Sequence, residues 1–261
     1  MKTLITLLLF LLLIPFNATS ADRDVIISTG EWAPWTGREL PNNGFINHVV
    51  KEAFAREGYE VRFEYYPWPR SNDLIKHGNV DASSYWYKNE DREDFAIFSD
   101  AISTEDVVFF HLKGKTPQEW HNLEDLRSYR IGAVKGITYV DELWEKGRAG
   151  TLRLFPSNTH KDNFNKLIRD RIDIFPSARR MGLEILTTNF PPQEQAVISH
   201  TSQKLSSHDG FLVFPKNASR SEELRKAFNT GLRKLREDGT YAKYLQAMDE
   251  GFYSAHQPQN P

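Results

Sequence analysis

Hydrophobic and polar positions along the chain switch repeatedly between two periods. Residues 25–29 (VIIST) are a short β-branched run, and within residues 47–56 Val49, Val50, Ala53 and Phe54 recur at helical spacing, with Gly58 as the stop. Residues 61–65 (VRFEY) alternate as a strand does, residues 71–77 predict a helix ended by Gly78, and residues 80–83 predict a buried strand. The order is β-α-β-α-β.

The same order then begins again. Residues 129–134 (YRIGAV) predict a strand, 139–146 a helix, 152–155 a strand, 161–169 a helix and 172–175 a strand. The two rounds share a local signature: Ile75 precedes Val80-Asp81 at the spacing with which Leu167 precedes Ile172-Asp173. Strands alternating with helices imply open α/β sheets, and two rounds imply two lobes. Residues 210–214 (GFLVF) add a strand, and residues 221–238 place Leu224, Phe228, Leu232 and Leu235 on one helical face. Gly239 stops that helix and Thr240 is the expected cap of the next, residues 241–248. The polar, proline-containing tail at 254–261 is expected to be disordered. No low-complexity linker separates the rounds, so short crossing strands are expected to join them.

The N-terminus changes the compartment. Lys2 is followed by an almost uninterrupted apolar run from Leu4 to Phe16 and by small residues at Ala18, Ser20 and Ala21, which predicts a secretory signal peptide over residues 1–20. The run is short for a membrane span. Its removal leaves 32 basic against 35 acidic side chains, a net charge of about −3 that gives no reason to expect a nucleic-acid partner. There is no cysteine, so neither a disulfide framework nor an N-terminal lipid-bearing cysteine is available.

Candidate chemistry is sparse. H-E-x-x-H, G-x-S-x-G and G-x-G-x-x-G motifs are all missing, the eight histidines lack ligand spacing, and no metal or cofactor is expected. Gly114-Lys115-Thr116 resembles the end of a phosphate loop, but Phe109 stands where its first glycine belongs. Asn217-Ala218-Ser219 fits a glycosylation acceptor, which carries little meaning in a bacterial protein. Aromatic residues, 13% of the chain, gather in Trp32-Ala33-Pro34-Trp35, Tyr65-Tyr66-Pro67-Trp68 and Tyr85-Trp86-Tyr87; such clusters serve either packing or a ligand pocket. Read locally, Glu90, Asp91, Arg92, Glu93 and Asp94 are a solvated turn of weakly paired charges.

Several ordered blocks resemble a known family: Gly30-Glu31-Trp32-Ala33-Pro34-Trp35, Gly58-Tyr59-Glu60-Val61, Gly78-Asn79-Val80-Asp81-Ala82, Arg92, Phe98-Ser99-Asp100, Lys135-Gly136-Ile137-Thr138 and the closing LRKLREDGTYAKYLQAM. From about Val25 to Met248 the chain is similar to the family 3 extracellular solute-binding proteins, the periplasmic amino-acid-type receptors of ABC importers. The resemblance implies an α/β, two-lobed periplasmic-binding-protein-like fold. Each lobe would be an open, mostly parallel sheet flanked by helices, and two hinge strands would let the lobes close on a ligand. It implies a discontinuous first lobe, residues 21–103 with 204–261, and a second lobe, residues 104–203.

The family's site can be carried over residue by residue. Arg92 stands six residues ahead of Phe98, where relatives clamp a ligand carboxylate with the planar fork of an arginine. Asn89 replaces the usual threonine of that motif but still has an amide to donate. Gly136 and Thr138 match the Gly-Ser-Thr turn that also reaches the carboxylate, with Ile137 replacing its middle hydroxyl. Ala178 stands where amino-acid binders commonly place an acid for the ligand ammonium, and Arg179-Arg180 follow it. Glu31, Glu184 or ring faces could substitute, or the ligand lacks an α-amino group. Trp32 matches a stacking position and Trp68 a pocket wall, with Arg70 near the same wall; Tyr85 and Tyr87 precede the Arg92 turn and are expected to face the cleft. Packing is the better expectation for Trp35, Tyr65 and Tyr66, and a solvated helix start for Arg179 and Arg180.

The resemblance implies a monomeric periplasmic receptor of a Gram-negative bacterium, without catalytic residues. It would capture a small polar, carboxylate-bearing solute, an amino acid or related compound, for an ABC permease in the inner membrane. Two alternatives use the same scaffold: a ligand-sensing partner of a membrane signalling protein, and a cyclohexadienyl-dehydratase-like enzyme, which would need an acid–base residue such as Glu31 or Glu184 over its substrate.

Overall fold

Both β-α-β-α-β rounds are present in the computed structural model, which describes residues 23–137 and 139–255. The predicted signal peptide, Thr138 and residues 256–261 lie outside the described residues. The first round is β1 (Asp24–Thr29), α1 (Phe45–Ala55), β2 (Glu60–Tyr65), α2 (Trp68–His77) and β3 (Ala82–Tyr87). A one-turn helix α3 (Glu90–Glu93), β4 (Ala96–Phe98) and β5 (Ser103–Leu112) lead into the second round. That round is β6 (Arg130–Val134), α4 (Asp141–Arg148), β7 (Arg153–Ser157), α5 (His160–Ile168) and β8 (Ile174–Ala178). Then follow α6 (Arg179–Asn189), α7 (Pro192–Gln195), β9 (Ile198–Pro215), α8 (Ser221–Glu237) and α9 (Thr240–Asp249).

The strands line up as β2-β1-β3-β9-β5-β8-β6-β7, with β4 also paired to β9. Read inward from either end the order is the same. A parallel trio, β2-β1-β3 or β7-β6-β8, meets an antiparallel partner, β9 or β5 respectively, and those two partners pair with each other. Parallel trios need helical crossovers, and the apolar faces of those helices cover the sheets. On the first unit Val49, Val50, Ala53 and Phe54 of α1 meet Leu224, Phe228 and Leu232 of α8, with the Phe54 and Phe228 rings 5.5 Å apart. On the second unit Ile131, Leu143 and Phe109 form one cluster, and Phe110, Phe164 and Phe175 another. The residue pairs 103/104 and 203/204 fall at the start of β5 and inside β9.

The repeated signature has a shared physical role. Asp81 accepts the Ile26 N–H at 2.8 Å and donates its own N–H to the Ile26 carbonyl at 3.0 Å. Asp173 does the same to Arg130, at 2.6 and 2.8 Å. Each aspartate therefore fastens the chain leaving a helix to the opening residues of its unit's first strand. The preceding turn is left-handed in both units, with Gly78 at φ +69° and Asp170 at φ +53°. Glycine adopts that conformation without a Cβ penalty, and aspartate is among the few side chains that tolerate it. Arg130 adds an ion pair to Asp173 at 2.6 Å and, by its hydrogen bond, holds that carboxyl below the usual carboxylate range.

The same fastening corrects two boundaries. Because Asp81 and Asp173 are spent on the first strands, β3 and β8 start at Ala82 and Ile174 and run on to Tyr87 and Ala178. The helix expected from residue 139 starts at Asp141, since the buried Tyr139 turns its hydroxyl to accept the Val134 N–H at 3.0 Å. Thr240 is not a cap; the helix starts after Gly239, and Asp238 accepts the Thr240 N–H at 2.9 Å. At the start of the expected disordered tail, Ser254 is buried and the Ala255 N–H bonds to Glu184.

Replacing Asp81 or Asp173 by alanine leaves a half-buried strand N–H without its acceptor, and each change should lower unfolding stability by about 1–3 kcal/mol in a urea titration. Asp173 should also show a pH signature. Its folded pKa is depressed, so its contribution is present above the unfolded pKa and is lost as pH falls through the folded value; Asp173→Asn should flatten that acid limb.

Candidate functional site

Three chain segments leave the carboxyl ends of the first unit's strands side by side, the place where open α/β sheets put their ligands. After β1 comes the loop of Trp32, held closed by Trp32–Thr36 backbone pairing. After β2, Pro67 leads into α2 with Trp68 as its first residue. After β3, Asn89 caps α3 by accepting the Arg92 N–H at 2.9 Å. Together they wall a cavity of about 360 Å³ with the rings of Trp32, Trp68, Tyr85, Trp86 and Tyr87. Its polar lining is Lys88, Asn89 and Arg92.

The rings brace one another edge to face. Trp32 meets Trp68 at 89° and 6.2 Å, Trp68 meets Trp86 at 86° and 5.2 Å, and Tyr87 meets Trp32 at 79° and 5.8 Å. Such contacts are favourable beyond the area they bury. Some of their polar edges are engaged: the Trp86 indole N–H donates to Ser83 Oγ at 2.8 Å, and that of Trp32 points at Met181 Sδ, 3.4 Å away on α6. Tyr85 is fully buried, its hydroxyl 2.9 Å from Ser103 Oγ of β5 and its ring against Gly210 of β9. A Cβ at residue 210 would stand 1.8 Å from that ring, so only glycine fits there.

Arg92 is half-buried and is held from three sides. Nη1 donates to the Tyr87 carbonyl at 2.5 Å, Nε donates to Asn72 at 3.4 Å, and the guanidinium lies 4.5 Å from the Trp86 ring centre. Burial pulls its pKa below the ordinary arginine value, partly offset by the field of Asp91, yet among the described residues no carboxylate pairs with it. Asp91 lines an adjoining recess of about 310 Å³ on the Asn72 side of Arg92 rather than the aromatic cavity. Lys88 rests its ammonium 5.4 and 5.2 Å from the Phe98 and Phe211 ring centres.

The other sequence-predicted residues distribute as follows. Gly136 sits in an exposed turn at the end of β6, at φ +80°, and Thr138 is outside the described residues. Arg70 is exposed and paired with Asp73, and Glu31 is exposed and accepts the Arg38 N–H; neither lines the cavity. Glu184 accepts from Thr188 and from Ala255. Arg180 does open a helix, but it is not solvated: it pairs with Asp249 at 3.0 Å and lies over Trp35. A separate hollow of about 420 Å³ borders α5, lined by Lys135, Lys166, Arg169 and Arg171 without any aromatic ring.

Sequence reasoning passed over Glu105. It lies on β5 opposite His208 of β9, is 1% exposed, and accepts the Arg180 N–H through one oxygen at 3.2 Å while the other has no partner. Burial pushes its pKa up to about 7, against the pull of that N–H and of Arg180 and Arg179. Its alternation with Ser103 and Val107 on the buried face of β5 was the available signal. Among the described residues no group of acids and histidines is placed to hold a metal.

The fold is that of the two-lobed binding proteins. The profile of the bacterial extracellular solute-binding proteins, family 3, matches residues 25–247, and the chain belongs to that family. In structure the chain is similar to substrate-binding domain 2 of GlnP from Lactococcus lactis, with TM-score 0.68 and 14% identity over 90% of this chain and 97% of that one. It is also similar to the second substrate-binding domain of a candidate amino acid ABC transporter from Streptococcus pneumoniae, with TM-score 0.68 and 16% identity over 88% and 100%. A histidine kinase sensor domain aligns with TM-score 0.64 and 20% identity over 87% and 97%. Among curated proteins none matches the chain in sequence.

Glu105 gives this region a pH signature. Its folded pKa lies above its unfolded value, so the native state holds the extra proton and stability falls as pH rises from about 4.5 to about 7. The loss should approach roughly 3 kcal/mol, and Glu105→Gln should abolish that slope in denaturant titrations across the range.

Proposed function

We propose that this family member is an exported receptor that captures a small polar, carboxylate-bearing solute and delivers it to an ABC permease in the inner membrane. The observation that carries the reading is Arg92, a half-buried guanidinium at an aromatic cavity whose Nη2 has no protein partner among the described residues. A buried charge without a counter-ion is costly, and a ligand carboxylate in the bidentate fork relieves that cost. Lobes bounded at 103/104 and 203/204 would close about β5 and β9, bringing the Gly136 turn toward Arg92. No side chain of the cavity combines a reactive group with a base, which favours binding over the dehydratase reading.

A sensing role is the second reading, favoured by the likeness to a histidine kinase sensor domain. It shares the pocket and differs in the partner. Deleting the gene should abolish cellular uptake of the ligand if the receptor feeds a permease, and should leave uptake intact if it serves a sensor.

A thermal-shift screen of amino acids, dicarboxylates, amines and short peptides finds ligands, because anything bound only by the folded form raises its melting temperature. For a ligand so found, Arg92→Ala should weaken affinity by about one to two orders of magnitude in isothermal titration, the equivalent of roughly 1.5–3 kcal/mol for a charge-assisted contact. Unchanged affinity in a folded Arg92→Ala protein would remove Arg92 from the site.

A further inference from the structure

The balance of charge around the cavity goes further than the presence of an arginine. The lining carries two cations, Lys88 and Arg92, and no acid. Acids on the neighbouring strands are already engaged: Asp106 of β5 pairs with Lys204 at 2.9 Å and accepts from Ser207 at 2.7 Å, and Asp209 of β9 accepts from Thr104 at 2.6 Å. Glu105 lies behind Tyr87, fully buried, with Arg179 and Arg180 the nearest cations. Its carboxyl is not part of the cavity lining, and burial raises its pKa to about 7. A ligand ammonium placed in this cavity would thus leave water to face two like charges and no counter-ion, an arrangement that costs several kcal/mol.

The polar lining is also one-sided. Away from Lys88, Asn89 and Arg92 the walls are ring faces and edges, and the Tyr85 hydroxyl and the Trp86 and Trp32 indole N–H groups are directed at Ser103, Ser83 and Met181. Three indoles and the Tyr87 phenol braced at near right angles leave a box with flat walls. A planar ring fills such a box edge to face and gains from each wall, whereas a flexible polar chain would exchange its full hydration for the few partners left there, the Trp68 indole N–H and the Tyr87 hydroxyl.

We infer that the ligand of this site is an anion with a planar, apolar ring body and no ammonium group: an aromatic carboxylate rather than an α-amino acid. Arg92 takes the carboxylate, Lys88 adds to the attractive field, and the Trp32, Trp68 and Tyr87 walls take the ring. The inference rests on the receptor reading above and narrows its ligand class.

The test is a matched pair that differs only in the ammonium: 3-phenylpropionate and L-phenylalanine, titrated into the mature protein at neutral pH, with succinate as an anion lacking a ring. Binding of 3-phenylpropionate should be at least tenfold tighter than binding of either other compound. It should fall at least tenfold in Arg92→Ala and in Trp68→Ala, while Trp68→Phe, which keeps a ring in the wall, retains most of it and controls for misfolding. L-Phenylalanine or succinate binding as tightly as 3-phenylpropionate overturns the inference and leaves the receptor reading standing. No binding of 3-phenylpropionate also overturns it, and silence across the wider screen of amino acids, dicarboxylates, amines and peptides overturns the receptor reading as well.

Discussion

The molecule is organised around one antiparallel pairing, that of β5 with β9. Each α/β unit ends in a strand that must find a partner for its outer edge, and each finds it in one of these two. Unpaired backbone at the centre of the sheet would be expensive, so the units share a hydrogen-bonded ladder in place of a loose linker. The ladder is not uniform: its register shifts between Val107 and Val108 and again before Phe110. Bulges of this kind bend and twist the strand that carries them.

The cavity is tied to this ladder through Tyr85. Its hydroxyl meets Ser103 at the start of β5, while its ring fills the space that Gly210 leaves on β9; Ser103 and Gly210 are themselves register partners. One wall of the site therefore moves only when the ladder does. Glu105 and His208, the next inward-facing pair, continue the contact, with the His208 ring 5.4 Å from that of Tyr87. Desolvation is common to the whole region: it raises Glu105, lifts the Tyr85 and Tyr87 hydroxyls above their ordinary pKa, and lowers Arg92. Water exclusion strengthens whatever electrostatic contact the ligand finally makes.

Sequence pattern revealed both α/β rounds because their strands and helices bury one face each, so period and burial coincide. It did not reveal β5 or most of β9. These strands run through both units, and β9 carries Ser, His, Gln and Lys at half-exposed positions, which blurs the alternation of an ordinary strand. Helix α6 was legible only at its start, Arg179-Arg180, because its remaining residues bury only Gly182 and Leu186 and show no clear period. At the site, Trp32, Trp68, Tyr85, Tyr87, Asn89 and Arg92 line one cavity, whereas Arg70 and Glu31 turn to local partners. Trp86 and Lys88 were passed over: alternation along β3 puts Trp86 on the face opposite Tyr85 and Tyr87, in a different core cluster, and it lines the cavity only because the site lies at the strand's end.

The braced indoles have an optical consequence. Of the six tryptophans, Trp32, Trp68 and Trp86 form one contiguous group, Trp35 is stacked on Tyr85 beside them, and only Trp120 and Trp144 lie on the second unit. Three of the six indoles are thus fixed at steep mutual angles around one cavity, an arrangement that couples their transitions and generates strong circular dichroism. The Met181 sulfur against the Trp32 indole belongs to the other unit, so quenching of that fluorophore depends on how far the two units stand apart. The cavity thus carries its own spectroscopic reporter, without any label.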